Sequence, residues 1–569
     1  MGAVAVVGAG PTGTCLVERI CANAPDLLRW PALDIHVIDP YPPGGGRVWR
    51  SDQPGLLWMN STAADVTLFT DESVACAGPI VKGPSLAEWL GGDPGLFAPR
   101  PVQNAYLSYV FDRTVATAPR GVRIHVHAAR AVSLADLPEG QRIGLDDGRV
   151  LDVDAVVLAQ GHGDVTPARA EQEDAAFARR NGLLYLPTGY AADLPLDRVP
   201  AGQPVLVRGM GLAFVDLMVL LTAGRGGRFT REYDGELVYL PSGAEPLLHV
   251  GSRRGVPYHA KTGYTLAGGR PREPRFLTPG APAELVRKEL AFAYYRELIT
   301  AHGERCKMRW AEFEDAYADL DWGSAEMRAL IRRAVPKPAD RLDFDRLDRP
   351  LHQIRFGDHA GLQRWMHGYL AADLRRRADP AHSADLALIY ALISAHGVLT
   401  EPDPWFRSFF SYIASGPPGQ RLEEMLALAR AGVVTFLGAG THVERRADGW
   451  RAVSRSVPGG VEAAALIDAR LPAPSVSRAT DPLIAGLYAT GGCEEEAGLL
   501  KVRPEDRRLV GRDGAAHPRR FAFGPWVVAG RGTAGFARPG LNAPLFRGAD
   551  ALARTVLSEA VATEARRVA

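Results

Sequence analysis

A chain of 569 residues is longer than one hydrophobic core supports, so two or three domains are expected. Hydrophobic residues at 46% and charged residues at 23% place it among ordinary globular proteins and exclude disordered or fibrous classes. With 66 Lys plus Arg against 65 Asp plus Glu there is no single-sign field, so neither nucleic acid nor an anionic membrane is expected as a main partner.

In chain order, residues 3–7 predict a buried strand, 8–13 a glycine turn, 14–22 a helix and 34–38 a second strand ending at Asp39, which together make a β-α-β unit. The apolar start is too short for a signal segment, and nowhere do about 18 apolar residues run together without charge, so no membrane span is expected. A strand at 122–127, an Asp147-Gly148 turn and an apolar strand at 155–158 follow. The stretch 164–200 then loses periodicity and gains proline, which places a domain boundary near it. A new strand at 204–207, the Gly209-Met-Gly211 turn and a helix at 213–221 open a second β-α-β unit. Residues 281–430 read as a helical insertion rich in Leu, Ala and Arg, and strands return at 432–436 and 464–467.

The later run parallels the earlier one. A Gly-Val pair opens a strand at 121 and at 432, an Asp-Gly turn joins two strands, and an apolar strand follows at 155–158 and at 464–467. The expected fold class is therefore α/β, with two Rossmann-like dinucleotide-binding domains and a helical insertion in the second. The expected domains are 1–170, 200–475 (interrupted at about 281–430) and 476–569, a C-terminal part of the first domain.

The G-x-G-x-x-G spacing of Gly8, Gly10 and Gly13, with Pro11 and Thr12 between, sits directly between strand and helix. There the first glycine makes the tight turn, the second admits a pyrophosphate and the third lets the helix pack close. Asp39 is the acid for the adenosine ribose. It lies 26 residues past Gly13, beyond the usual ~20, so the helix or its exit is long. The next stretch, with Gly45, Gly46, Arg47 and Trp49, resembles the G-G-x-W region of flavin monooxygenases and favours FAD.

In the second unit Gly209 and Gly211 are present but Phe214 stands at the third glycine position, so either the helix there packs less closely or the fingerprint is degenerate. Ser252, Arg253 and Arg254 end the next strand where an acid would hold a bare ribose, and arginine there accommodates a 2′-phosphate, which points to NADPH. Cys15, Cys21, Cys76, Cys306 and Cys493 show no C-x-x-C pair and no metal-ligand spacing, so a disulfide reductase and a metal site are not expected, and a reduced, cytoplasmic setting is. Cys493, beside three acids, reads as structural, its thiolate disfavoured by charge repulsion.

The chain resembles the FAD- and NAD(P)-binding oxidoreductases that include flavin-dependent N-hydroxylating monooxygenases. Besides residues 8–13, the resemblance rests on L-L-W-M-N at 56–60, V-T-L-F-T-D at 66–71, A-Q-G-H at 159–162 (with Gly161), G-M-G-L at 209–212, G-S-R-R-G at 251–255 and R-P-G-L-N-A-P-L-F at 538–546. Within that group the M-N and V-T-L-F-T-D stretches look most like aspartate N-hydroxylases that make nitrosuccinate. The resemblance implies that Met59 and Asn60 lie by the isoalloxazine ring and that Leu541 and Asn542 return to its pyrimidine edge, with Asp550 a surface or capping residue.

It also implies an NADPH-dependent monooxygenase that hydroxylates the nitrogen of a small amine or amino acid, aspartate among them, with molecular oxygen and through a flavin C4a-hydroperoxide. No single catalytic residue follows. The insertion would carry the substrate lid, with Arg332, Arg333, Arg355 and Arg364 as candidate carboxylate forks. Two alternatives stay open: an NADPH oxidoreductase passing electrons to a partner, and a non-catalytic flavin redox sensor. A homo-oligomer is compatible with the sequence.

Overall fold

A computed structural model describes residues 2–28, 32–161, 163–269, 273–399, 403–528 and 535–568. The chain divides into two compact units, residues 1–167 with 472–569 and residues 168–471.

The first unit opens with strand β1 (Gly2–Val7), helix α1 (Pro11–Leu27) and strand β2 (Leu33–Ile38). Val4, Val6, Leu33, Ile35 and Val37 are fully buried, and one side of α1 (Leu16, Val17, Ile20, Ala24) packs in the same core. Helix α1 runs well past the expected residue 22, which accounts for the long spacing to Asp39. Helices α2 (Leu86–Leu90) and α3 (Arg100–Ala116) lead to β3 (Val122–His127). A three-stranded meander, β4 (Ala131–Leu137), β5 (Gly140–Leu145) and β6 (Val150–Val153), then leads to β7 (Ala155–Leu158).

The second unit starts inside the stretch expected to be irregular. Residues 164–200 hold α4 (Arg169–Arg180) and strand β8 (Leu184–Leu186), which pairs in parallel with the last strand of the second sheet. A three-residue strand is too short for its period to show against the surrounding prolines. Strand β9 (Pro204–Arg208), helix α5 (Leu212–Leu221), a hairpin of β10 (Arg228–Arg231) and β11 (Leu237–Leu240), and β12 (Leu247–Ser252) follow. The insertion comes next, with eight α-helices among the described residues: α6 (Ala283–Ala301), α7 (Trp310–Ala318), α8 (Ala325–Ala334), α9 (Phe344–Asp348), α10 (His359–Ala378), α11 (Ser383–Val398), α12 (Pro404–Ala414) and α13 (Gly419–Arg430). Strand β13 (Val434–Ala439), a meander of β14 (His442–Arg446), β15 (Gly449–Val453) and β16 (Val461–Ala463), and β17 (Ala465–Asp468) complete the unit.

The sheet of the second unit runs β13-β12-β9-β17-β8, and that of the first, which includes two C-terminal strands β20 (Arg508–Val510) and β21 (Ala516–Ala522), runs β20-β21-β7-β1-β2-β3. Matching β1 with β9, β2 with β12, β3 with β13 and β7 with β17 superposes one order on the other, with a meander before β7 and another before β17. The chain thus repeats one dinucleotide-binding topology, with the insertion between the second and third strands of the second copy. The C-terminal part of the first unit supplies α14 (Pro482–Ala489), the short pair β18 (Glu495–Glu496) and β19 (Leu499–Leu500), the strands β20 and β21, and α15 (Pro544–Val568).

Two expectations need correction here. Asp550 is neither surface nor cap: it lies inside α15, buried, its carboxylate accepting from Asn23 Nδ2 at 2.8 Å and from the Ala77 and Gly78 N–H groups at 2.9 and 3.2 Å. Cys493 is buried as expected of a structural thiol, but the leading cause is different: desolvation pushes its pKa up to about 11, with acid repulsion from Glu495 the least of the contributions. No helix among the described residues is long and apolar enough to cross a membrane.

Candidate cofactor and substrate sites

Each glycine of the first turn meets a different constraint. Gly8 has φ +106°, and a Cβ there would stand 2.7 Å from Ala159 O, so β1 can turn beside β7 only with glycine. A Cβ on Gly13 would collide with the Gly8 carbonyl oxygen, which is the close approach of helix and strand. Gly10 is unlike both. Its φ is −66°, which any residue adopts, and a Cβ there would find no protein atom closer than 3.9 Å. Neither backbone nor neighbours require glycine, yet the slot above it is bounded by Gly45 and Gly46 and faces the N-terminus of α1. That helix has Pro11 in its first turn, no acidic residue there and no side-chain cap, and Thr12 is buried beside it. An open slot over a helix N-terminus fits a pyrophosphate.

Asp39, at the end of β2, accepts from the Ala9 N–H through Oδ2 at 2.7 Å and from the Tyr41 N–H through Oδ1 at 2.8 Å. Burial pushes its pKa up and these two N–H groups pull it down. The following loop folds back over the turn: a Cβ on Gly46 would lie 2.9 Å from Gly10 Cα, and Gly45 is wedged against the Trp49 carbonyl and Asn104. Asn104 Nδ2 donates to Trp49 O at 2.8 Å, and Arg100 lies over the Trp49 ring at 5.9 Å. Asn104 carried no sequence signal; only the fold brings α3 to this loop. Arg47 pairs with Asp164 at 2.7 Å, in the exit loop of β7 that also carries the exposed Gly161. His162 lies outside the described residues.

Met59 is buried and tied to Ala98 O by its N–H at 2.8 Å, and Asn60 beside it is half-buried. The structure zips two of the family-like stretches together. Thr67 and Ala537 exchange backbone hydrogen bonds at 2.8 and 2.9 Å, Asp71 accepts from the Gly540 N–H at 2.7 Å, and Asn542 Oδ1 accepts from the Ala75 N–H at 3.0 Å. Asn542 Oδ1 thus ties this segment to the loop at Ala75. Leu541 is exposed.

In the second unit Gly209 has φ +127° and a Cβ there would lie 2.5 Å from Ala469 O. Its N–H donates to Gly251 O at 2.9 Å as that of Gly8 does to Ile38 O at 2.8 Å. Gly211 begins α5, which has no acid in its first turn, and the Tyr258 ring lies 3.2 Å from where a Gly211 Cβ would be. Phe214 is fully buried. Ser252 Oγ accepts from the Gly255 N–H at 2.9 Å and so shapes the turn.

The two arginines part company. Arg253 is exposed, and its guanidinium donates to Ser408 Oγ at 2.7 Å. Arg254 is turned inward, bound to Asp348 Oδ1 through Nη2 at 2.5 Å and to Asp348 O through Nε at 3.0 Å. The guanidinium fork of Arg254 thus already holds a carboxylate, whereas that of Arg253 does not.

The insertion encloses a cavity of about 1090 Å³. Of the four arginines singled out in the sequence only Arg332 lines it; Arg333, Arg355 and Arg364 face solvent, and the wall instead presents Arg287, Arg376 and Arg377. Several of these helices carry no marked apolar face, so helical periodicity alone could not say which side points inward. Arg376 forks onto Asp385 at 2.6 and 2.7 Å. Arg377 is buried, 3.6 Å from both Asp373 and Asp385, and its Nε and Nη1 make no hydrogen bond among the described residues. His259, also buried, faces Asp373 through Nδ1 at 2.6 Å, and its Nε2 makes none. Burial works against ionisation of Asp373, but His259 and Arg377 outweigh it and hold the carboxyl down at about 2. An ionised Asp373 only accepts, so the short contact is a hydrogen bond donated by His259 Nδ1.

A family profile described as FAD-NAD(P)-binding matches residues 5–163. The chain is 39% identical to a nitrosuccinic acid synthase of Aspergillus oryzae, over 98% of this chain and 93% of that one. It is 37% identical to an L-aspartate N-monooxygenase (nitrosuccinate-forming) of Streptomyces davaonensis, over 97% of each. Among solved structures, a flavin monooxygenase from Stenotrophomonas maltophilia aligns over 98% of this chain and 99% of its own, with 13% identity and a TM-score of 0.39. The near-full-length likeness places this chain in the family of flavin-dependent, nitrosuccinate-forming N-monooxygenases.

Proposed function

We propose that this protein binds FAD in the first unit and NADPH in the second, and hydroxylates the amine nitrogen of L-aspartate with molecular oxygen. The observation that carries the reading is the likeness along nearly the whole chain to L-aspartate N-monooxygenases, including the insertion. Bound FAD, reduced by NADPH, supplies the oxygen activation. The chain's own residues bind, orient and exclude water. Gly10 and the N-terminus of α1 take the FAD pyrophosphate and Asp39 the ribose. Arg47, Trp49 and Gly161 border the cofactor, while Met59, Asn60, Leu541 and Asn542 frame the ring. Gly209, Gly211 and α5 take the NADPH pyrophosphate, with Ser252 shaping the turn from which Arg253 meets the 2′-phosphate. The buried donors of Arg377 and the cationic wall of the cavity suit an acidic substrate.

The test is to supply the FAD-loaded protein with NADPH, air and a panel of amino acids, following NADPH oxidation and product mass. Aspartate should accelerate oxidation and yield products heavier by one or more oxygens, with lysine and ornithine inert. Peroxide without any substrate-linked product would reject the reading in favour of a reductase.

For cofactor choice, Arg253→Ala should remove a charge-assisted contact of about 1.5–3 kcal/mol. That raises the apparent constant for NADPH roughly ten- to hundredfold. NADH, which lacks the 2′-phosphate, is the control: its kinetics should stay as in the parent, and equal damage to both cofactors would point to a collapsed loop instead.

A further inference from the structure

We infer that Arg254 is a positioning residue for the substrate cavity, not a cofactor residue, and that it acts by clamping Asp348. The inference rests on the proposed function, in which the cavity receives the amino acid. Asp348 is the last residue of α9, and the four residues before it, Phe344, Asp345, Arg346 and Leu347, form part of the cavity wall. A five-residue helix does not hold itself in place. Its N-terminus is capped by Asp343, whose side chain accepts from the Arg346 N–H, and its C-terminus is held by Arg254.

The clamp is nearly closed. Arg254 Nε donates to the Asp348 carbonyl at 3.0 Å and to its Oδ1 at 3.1 Å, Nη2 to Oδ1 at 2.5 Å and to Ser408 Oγ at 3.0 Å. The guanidinium also lies over the Tyr412 ring at 4.6 Å. The two side chains are only 14% and 9% exposed, so water screens the pair little. Ser408 and Tyr412 belong to α12, and Tyr412 is hydrogen-bonded at 2.8 Å to Tyr369, another residue of the cavity wall. One guanidinium therefore joins the end of strand β12 to two elements around the cavity. A 2′-phosphate could use the same edge of the guanidinium only by displacing Asp348, whereas Arg253 reaches solvent one residue earlier.

Three variants of the FAD-loaded protein separate the roles: Arg254→Lys, Asp348→Asn and Arg253→Ala. Lysine keeps the cation that a phosphate needs but cannot span both Asp348 oxygens. Calorimetric Kd values for NADP+ and L-aspartate, with product formed per NADPH consumed, provide the readout. Arg254→Lys and Asp348→Asn should each weaken aspartate binding at least tenfold and lower product per NADPH, with Kd for NADP+ changed less than threefold. Arg253→Ala should do the reverse. The inference is overturned if Asp348→Asn tightens NADP+ binding, if Arg254→Lys weakens NADP+ as much as Arg253→Ala does, or if both clamp variants keep the parent affinity for aspartate. Should the parent itself bind no aspartate, the substrate reading fails, and hydrogen exchange then decides the clamp: faster exchange across residues 341–350 in both variants supports it, and unchanged exchange overturns it.

Discussion

Gly10→Leu should yield a folded protein that no longer holds FAD. The expectation follows from the contrast among the three glycines of the first turn. At Gly13 even an alanine would drive its Cβ into the Gly8 carbonyl, so fold and cofactor would be lost together. At Gly10 the backbone is ordinary and the nearest protein atom is 3.9 Å from an added Cβ, so the polypeptide has room for a side chain that the dinucleotide does not. The expected loss in FAD affinity is at least hundredfold, about 2.7 kcal/mol or more. The check is absorbance of the purified protein and FAD titration by fluorescence quenching, beside circular dichroism of the variant and of the parent stripped of flavin. A yellow Gly10→Leu protein with parental affinity would remove the pyrophosphate from this turn.

Asp550→Ala should cost the first unit more than any surface change. Asp550 joins α15 to α1 through Asn23 and to the 77–78 backbone through two N–H groups. Arg19, fully buried, approaches its carboxylate at 3.5 Å while forking onto Glu18 at 2.6 and 2.7 Å and donating to Pro79 O at 2.7 Å. Asn23 in turn accepts from Arg554 at 2.8 Å. Alanine would leave two backbone N–H groups without their acceptor, take from the Asn23 amide one of its two acceptors, the Arg19 carbonyl being the other, and unbalance the charge of a largely buried network. Breaking such a buried arrangement costs about 3–5 kcal/mol. For a unit of this size that is roughly 5–10 °C in Tm. Flavin fluorescence during thermal unfolding reads the first unit selectively. Asp550→Asn, which retains one acceptor oxygen, should lose less; equal stability of all three proteins would contradict the network.

The first nucleotide turn was legible in the sequence because its requirements are local. Gly8, Gly10 and Gly13 lie within six residues, Asp39 ends the adjoining strand, and strand, turn and helix leave their periods in consecutive residues. The duplication was legible for the same reason, since each copy repeats a strand, a meander and a strand in the same order. The insertion showed as helical through its composition, but not through the direction of any helix face, and so Arg333, Arg355 and Arg364 were chosen where Arg287, Arg376 and Arg377 face the cavity.

Contacts between residues far apart in the chain left no such trace. Arg253 and Arg254 are chemically identical neighbours, and what separates them is Asp348, 94 residues away, which captures one guanidinium and leaves the other to solvent. Asn542 meets Ala75 across 467 residues and Asp550 meets Asn23 across 527, and neither pairing has a periodicity or spacing to announce it. Backbone geometry is encoded by the residues that adopt it, so sequence alone determined the two glycine turns and their strands. A side chain's partner is chosen by whatever the folded chain brings within about 3 Å, so tertiary structure decided which arginine, which aspartate and which face of each helix serve the sites.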